Sequence, residues 1–264
     1  MKRRDLLSIG GGLVMAGLSS RLSWADELEL VKAGQISAAT EATYPPYSMR
    51  NAAGELDGIE IRTIKEVVKR LGLAYAPVET KWDSMLVGLL ADEYDMCSVT
   101  MAITDERKKK VWFCDGWCES GARLVVPNDS PIKVNADAKG KSVGALVASI
   151  FIPLAEQLGA EVKTYQSDVE ALQDCVNGKV DAVITDGVPA GYAIKTGQLP
   201  LRITDEIMQP YQLGWPVKKG KKNLVMALNK ALAEVVADGT FKTICMELAG
   251  VDLTPKSPAR SDFS

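Results

Sequence analysis

The spacing of apolar positions predicts a chain of alternating helices and strands. Residues 59–71 carry apolar side chains at helical spacing, and Gly72 ends the predicted helix. Asp83 is the predicted N-cap of the next helix. The remaining apolar stretches predict helices over 83–91, 152–158, 169–176, 224–236 and 241–249, and strands over 35–39, 74–78, 96–100, 142–146, 162–165 and 182–185.

One helix–strand unit occurs twice in this pattern. Residues 86–100 align without a gap with residues 172–186, so that Thr100 falls on Asp186. Two similar units indicate two similar α/β lobes, and in such lobes ligands bind at the carboxyl ends of the strands. Because a polar residue stands at that point in each unit, the repeat predicts a cleft between two lobes.

Composition excludes several classes of function. The chain has no histidine, which excludes His-dependent catalytic triads, histidine metal sites and imidazole proton shuttles. The formal net charge is −3, and it becomes about −6 without the first 25 residues, which carry a local +3. An acidic body argues against nucleic acid and anionic membranes as partners. We expect no cofactor, no metal and no catalytic residue.

The amino terminus has the pattern of an export signal. A basic start precedes a short apolar segment, and small residues follow at Ser23 and Ala25. The start KRRDLLS resembles a twin-arginine signal, and a general secretory signal with two arginines is the alternative. The apolar segment is too short to anchor the chain in a bilayer, so we expect an exported periplasmic protein.

Export permits disulfides, but the number of cysteines is five, which is odd. Cys114 and Cys118 are close enough in sequence to form a disulfide or to share a metal ion. No histidine and no second cysteine pair supports the metal. We expect most of the cysteines to be small buried apolar residues.

Arg107 is the first candidate for chemistry. Thr104 is the predicted N-cap of a further helix, with Asp105 and Glu106 in its first turn. An arginine at this end of a helix opposes the helix dipole, and a bound carboxylate would satisfy both the guanidinium and the free backbone N–H groups. The alternative is a surface arginine paired with Asp105, Glu106 or Asp115.

Asp186 is the second candidate, at the end of the matching strand. It is placed to receive an ammonium group from the other side of the cleft, and the alternative is an aspartate that caps the following helix. Aromatic residues in loops beside strand ends could cover the body of a ligand, although core packing is the default for each. These aromatic residues are Tyr44, Tyr47, Trp82, Trp117 and Phe151, with Tyr44 and Trp82 ranked first. Glu41 precedes the proline turn, where it could contact a polar or cationic end of a ligand or remain a solvated carboxylate.

Several ordered motifs make residues 30–250 resemble the family 3 extracellular solute-binding proteins, the periplasmic receptors of polar-amino-acid ABC transporters. The motifs are EATYPPY (41–47), LDGIEI (56–61), KWDSML (81–86), MAITDERKK (101–109), GKVDAVITD (178–186) and ADGTF (237–241). This resemblance implies a type II periplasmic-binding-protein clamshell, an α/β fold of two lobes joined by two crossover strands. We place the crossovers at residues 123–126 and 213–217. We assign 1–25 to the signal, 26–119 and 213–252 to the first lobe, 120–212 to the second, and 253–264 to a C-terminal tail that is expected to be mobile.

The resemblance also implies roles for individual residues. Arg107 matches the arginine that binds the α-carboxylate of the ligand, and Asp186 matches the aspartate that binds the α-ammonium. One loop departs from the family pattern, because it reads ASIF at 148–151 where members carry a Gly-Thr-Thr-like sequence, and Ser149 keeps one hydroxyl. An apolar, aromatic or modified amino-acid ligand is therefore credible. The remaining matched positions are Thr100 and Ala102 at the carboxylate-binding strand end, Tyr44 and Trp82 over the ligand side chain, and Glu41 as a selecting residue.

The resulting interpretation is a monomeric, non-enzymatic receptor that passes an amino acid or a similar zwitterion to an ABC transporter permease. The main alternative is a cyclohexadienyl dehydratase on the same fold. That enzyme would need a carboxylate shortly after Asp186, but Pro189 occupies the expected place. A sensor domain, or a periplasmic partner of another transporter or redox system, are further alternatives.

Overall fold

The structure, a computed structural model, describes residues 27–264. The predicted export signal at 1–25 lies outside the described residues. Within residues 27–264, no helix has both the length and the apolar character needed to cross a bilayer.

Strands and short helices alternate along most of the described chain. The helices are α1 (Ile59–Arg70), α2 (Met85–Leu90), α3 (Asp105–Lys108), α4 (Phe151–Gln157), α5 (Asp168–Val176), α6 (Gly187–Gly197), α7 (Lys222–Ala237) and α8 (Thr240–Leu248). The strands are β1 (Gln35–Thr40), β2 (Met49–Arg50), β3 (Leu56–Asp57), β4 (Ala74–Glu79), β5 (Met96–Cys97), β6 (Met101–Ala102), β7 (Val111–Phe113), β8 (Cys118–Pro127), β9 (Ser142–Leu146), β10 (Glu161–Tyr165), β11 (Ala182–Asp186), β12 (Leu201–Ile203), β13 (Gln209–Gly214) and β14 (Pro216–Lys218).

Two sheets form the centres of two lobes. The first sheet has the order β4-β1-β5-β14-β7, and the second has the order β10-β9-β11-β8-β13-β6, with β12 paired to β8. In the first lobe β1 is parallel to both neighbours, and in the second β9 is parallel to both of its neighbours. The next strand across each sheet is antiparallel to its neighbour: β14 is antiparallel to β5 in the first sheet, and β8 is antiparallel to β11 in the second. The predicted repeat and the two-lobed α/β clamshell are therefore confirmed.

The first lobe holds the larger apolar core. The apolar face of α1 packs there against α7 and α8 because its residues at helical spacing, such as Ile64 and Val68, are fully buried. Trp117 and Trp215 lie at its centre, with ring centroids 5.5 Å apart. A separate cluster in the second lobe covers β8, β9 and β11.

The chain crosses between the lobes within β8 and returns at the junction of β13 and β14. Cys118 packs in the core of the first lobe, whereas Ala122 packs in that of the second. The predicted crossover at 123–126 is wrong, because these residues lie inside the second sheet and pair with β11 and β12. On the return, β13 belongs to the second sheet and β14 to the first, so the chain changes sheet within the predicted crossover at 213–217.

The C-terminal segment packs on the first lobe, so the expected mobile tail is wrong. Leu253 is buried in the first core, and its carbonyl accepts a hydrogen bond of 3.1 Å from the amide of Glu119. The Gln212 side chain accepts a hydrogen bond of 2.6 Å from the amide of Ala259. Glu119 lies on β8 and Gln212 on β13, the two strands that cross between the lobes. The C-terminal segment is therefore hydrogen-bonded to both crossing strands.

Two further predictions near the cleft are corrected. Residues Trp82–Ser84 form a 3₁₀ turn and α2 begins at Met85, so Asp83 is not its N-cap. The strand predicted over 96–100 ends at Cys97, and β6 pairs with β13 of the other sheet. Thr100 therefore lies in the link between the two sheets and belongs to neither strand.

All five cysteines are buried and unbonded to one another, which confirms the expectation of buried thiols. The disulfide between Cys114 and Cys118, one of the alternatives, is not formed.

Candidate functional site

A cavity of about 370 Å³ lies between the two lobes. Residues from both lobes form its wall. All eight residues predicted for the site line the cavity: Glu41, Tyr44, Trp82, Thr100, Ala102, Arg107, Ser149 and Asp186.

Arg107 enters the cavity from the short helix α3. Thr104 caps that helix by accepting a hydrogen bond from the Arg107 amide, as predicted. The guanidinium donates to the carbonyl of Ala102 over 3.0 Å and lies 5.5 Å from the centroid of the Trp82 ring. Burial lowers the pKa of Arg107 to about 10.

The alternative role of Arg107 as a paired surface residue is wrong. The three acidic residues proposed as its partners bind other cations, namely Lys108, Lys109 and Arg260. Within residues 27–264, Arg107 forms no ion pair, so its charge is met only by the Ala102 carbonyl and the indole face. A buried guanidinium in this state attracts a carboxylate.

Asp186 ends β11 on the opposite side of the cavity and is 2 % exposed. One carboxylate oxygen accepts hydrogen bonds from Ser120 and from the Val188 amide, and the other accepts one of 2.9 Å from Tyr211. It is therefore the N-cap of α6, the alternative role considered for it, and also part of the cavity wall. Burial raises the pKa of Asp186 to about 6, although all three hydrogen bonds oppose the shift.

Glu41 follows β1 and is half-buried in the cavity wall. Burial first, and then the nearby negative charge of Asp168, raise the pKa of Glu41 to about 7, against a hydrogen bond from Thr43. A carboxyl group in this environment is easily held in its charged form by a ligand cation.

Two aromatic residues cover the cavity, as ranked from the sequence. Tyr44 is 9 % exposed, and burial together with Asp168 and Asp186 raises its pKa well above the usual range, so its phenol stays protonated. Trp82 packs against apolar clusters of both lobes. It therefore contacts both sides of the cleft.

The loop at 148–151, which departs from the family pattern, contributes apolar side chains to the cavity wall and no free hydroxyl. The Ser149 hydroxyl donates to the Leu146 carbonyl over 2.6 Å and accepts from the Phe151 amide over 3.2 Å. Both bonds stay within the loop, so this hydroxyl already has partners. Leu146, Ile150 and Phe151 line the cavity beside it.

Sequence reasoning missed several residues of the site. Tyr211 and Leu213 of the returning strand line the cavity, and Ser120 lies opposite Tyr211 in the β8–β13 register. The sequence carries no signal for these contacts, because they depend on pairing between strands about 90 residues apart. Tyr47 and Trp117, two of the five aromatic candidates, lie in the core of the first lobe.

The profile of the bacterial extracellular solute-binding proteins, family 3, matches residues 36–247. The L-cystine-binding protein TcyJ of Escherichia coli (strain K12) is 33% identical over 259 residues, which cover 96% of this chain and 97% of that protein. The histidine-binding periplasmic protein of Salmonella typhimurium (strain LT2) is 30% identical, over 94% of this chain and 98% of that protein. A solved ancestral arginine-binding protein bound to glutamine superposes with a TM-score of 0.78 at 32% identity, covering 83% of this chain and all of that one.

Proposed function

The chain belongs to the bacterial extracellular solute-binding proteins of family 3, and we propose that it is a receptor for an amino acid or an amino-acid-like zwitterion. The relatives named above are binding proteins, and this chain too is a binding protein rather than an enzyme. Helix α6 does not support the dehydratase alternative, because a buried proline, Pro189, occupies the position where that enzyme would need a carboxylate.

The observation that carries the proposal is a pair of opposite charges on opposite lobes. Arg107 and Asp186 both line the cavity, and neither forms an ion pair within the described residues. A ligand with one carboxylate and one ammonium group matches both charges at once. A ligand with only one of these groups would leave the other buried charge uncompensated, which is costly.

Ligand binding then favours closure of the two lobes. The closed state brings both charged residues to the ligand, whereas an open state offers one lobe at a time, so the ligand binds the closed state more tightly. In this proposal the closed receptor acts in the periplasm and delivers the ligand to the membrane permease of an ABC transporter.

Thermal unfolding of ligand-stripped protein tests the proposal. The protein, without residues 1–25, is unfolded, dialysed, refolded and heated with each member of an amino-acid panel. Selective binding to the native state raises the melting temperature, by mass action. We expect Arg107→Ala to remove the shift and Lys109→Ala to keep it, because Lys109 is an exposed cation two residues away that pairs with Glu106. A flat panel with correctly refolded protein would refute the proposed function.

A further inference from the structure

We propose that the hydroxyl of Tyr211 is a second acceptor for the ammonium group of the ligand, and that Tyr211 and Ser120 together hold the Asp186 carboxylate in place for that contact. This inference rests on the proposed function, since it concerns the same cavity. It adds a binding residue and narrows the ligand class to zwitterions whose ammonium group carries at least two N–H donors.

Tyr211 and Ser120 face each other on the two strands that cross between the lobes. Tyr211 lies on β13 and Ser120 on β8, and the register pairs the two residues directly. Side chains of directly paired residues lie on the same face of a sheet, so both hydroxyls reach the same carboxylate, that of Asp186. Ser120 lies between Cys118 of the first core and Ala122 of the second, and Tyr211 packs against both cores. The support of Asp186 therefore comes from the crossing itself.

The hydrogen bonds of Asp186 leave one acceptor position open. Each oxygen of an ionised carboxylate accepts about two hydrogen bonds. Oδ1 already accepts two, from the Ser120 hydroxyl and from the Val188 amide. Oδ2 accepts one, from Tyr211, among the partners that residues 27–264 provide. An ammonium group that binds this carboxylate therefore contacts Oδ2, the oxygen beside the Tyr211 hydroxyl.

The oxygen of Tyr211 is placed to accept a hydrogen bond from the same ammonium group. Burial, and then the negative charge of Asp186, raise the pKa of Tyr211 well above its usual range, so the phenol keeps its proton and donates it to Oδ2. A phenol oxygen that donates its proton can still accept. Tyr211 lines the cavity, and its oxygen lies 2.9 Å from Oδ2. One ammonium nitrogen can contact two oxygens at this separation with normal hydrogen-bond lengths, and it needs two N–H donors to do so.

A packing role for Tyr211 is the competing explanation, because the residue contacts both cores. Phenylalanine keeps the ring and removes only the hydroxyl, so Tyr211→Phe separates the two roles. Tyr165→Phe is the matched control. The hydroxyl of Tyr165 also donates to an aspartate, Asp174, over 3.0 Å, and neither residue lines the cavity.

Isothermal titration of the ligand-stripped protein at about pH 8 measures the contact. The panel is L-cystine, L-histidine, L-arginine, L-glutamine, the other common L-amino acids and glycine betaine. We expect Tyr211→Phe to bind the tightest ligand roughly 10-fold or more weakly, as for a lost hydrogen bond to a charged group. Ser120→Ala should lose less than about 3-fold, because Ser120 supports Asp186 but does not line the cavity. Tyr165→Phe should keep the affinity, and glycine betaine, a zwitterion without an N–H group, should not bind.

The pH dependence of binding gives a readout that packing would not change. Burial raises the pKa of Asp186 to about 6, and the three hydrogen bonds that it accepts oppose this rise. An ammonium group binds the charged carboxylate, so affinity falls as the pH drops through this pKa. Removal of either hydroxyl raises the pKa of Asp186 further. In Tyr211→Phe and Ser120→Ala the fall in affinity should therefore begin at a higher pH than in the wild type and in Tyr165→Phe.

The other titratable groups around Asp186 do not differ between the wild type and Ser120→Ala. Two of them change charge in the range of the measurement, because burial raises the pKa of Asp168 to about 6 and that of Glu41 to about 7. Both are also present in the tyrosine variants, so a comparison between variants isolates Asp186. The remaining groups keep their charge state up to about pH 8: Arg107, Tyr44, Tyr47, Cys118 and Tyr211.

The stability of the unliganded protein tests the support of Asp186 without a ligand. Because the pKa of Asp186 is raised on folding, stability is lost as the pH rises through that pKa. A further rise in the pKa enlarges the loss. In urea unfolding, Tyr211→Phe and Ser120→Ala should therefore lose more stability between about pH 4 and pH 8 than the wild type does.

Each outcome decides a separate question. Binding of glycine betaine, or wild-type affinity in Tyr211→Phe, overturns the inference but leaves the proposed function standing. A weaker Tyr211→Phe whose affinity and stability depend on pH as those of the wild type do assigns Tyr211 a packing role, which also overturns the inference. If no member of the panel binds the refolded wild type, the proposed function itself has failed, and the ammonium contact fails with it.

Discussion

Replacing Asp186 by asparagine should change how the stability of the unliganded protein depends on pH. The pKa of Asp186 in the folded protein, about 6, lies above the ordinary aspartate value of 3.8. Stability from this group is therefore fully present below about pH 3.8 and is lost as the pH rises through about 6. One pKa unit corresponds to about 1.4 kcal/mol, so the total loss is about 3 kcal/mol. About 2 kcal/mol of it falls between about pH 4 and pH 8.

The asparagine variant removes this loss and keeps most of the local structure. The amide oxygen can still accept from Ser120 and from the Val188 amide, as the carboxylate does. Tyr211 loses an acceptor for its hydroxyl proton, which costs about 1 kcal/mol at every pH. At about pH 8 the variant should therefore be more stable than the wild type by about 2 kcal/mol, although it no longer binds ligand.

Urea unfolding of the stripped proteins, followed by tryptophan fluorescence at about pH 4 and pH 8, measures the effect. The quantity of interest is the change in free energy of unfolding between the two pH values, compared between the proteins. Titrations of distant groups are common to both and cancel. If the two proteins lose the same stability over this range, the carboxylate of Asp186 does not have the raised pKa from which the argument starts.

Three further predictions concern separate parts of the molecule. Arg107→Lys should weaken ligand binding by roughly 10- to 100-fold in titration calorimetry, since lysine lacks the planar fork; an unchanged affinity would exclude a two-point carboxylate contact. Gly58→Ala should lower the free energy of unfolding by roughly 2–4 kcal/mol, because φ is +127° and a Cβ would lie 2.2 Å from the Tyr47 carbonyl oxygen. Gly54→Ala, at φ +81° with open space around it, should cost only about 1 kcal/mol, and equal costs would contradict the steric argument. Leu253→Ala should cost roughly 2–3 kcal/mol in urea unfolding because Leu253 is buried in the first core; no loss would mean that the C-terminal segment does not pack there.

The sequence predicted most of the fold because the repeat follows local patterns. Helical spacing identified α1 through Ile64 and Val68, and the matched units identified β5 and β11. The C-terminal segment was misjudged because it has no periodicity and is held largely by individual contacts, such as that of the Leu253 carbonyl with Glu119. Periodicity detects a repeating face and cannot detect such contacts.

The wall of the cavity was predictable where a motif fixes the local geometry, as for Arg107 after its Thr104 cap. It was not predictable where strand register decides, as for Tyr211. Tyr44 and Tyr47 belong to one turn, yet one lines the cavity and the other lies in the core.

The position of β14 has a consequence for how the protein acquires its structure. This strand lies between β5 and β7, and it is made about 100 residues after them along the chain. During synthesis the edges of β5 and β7 remain unpaired until the whole second lobe has emerged, whereas the second lobe is nearly continuous in sequence. Such long-range pairing slows folding and exposes strand edges to aggregation. The second lobe is therefore the part expected to fold first, and the first lobe is the part that needs protection until its last strand arrives.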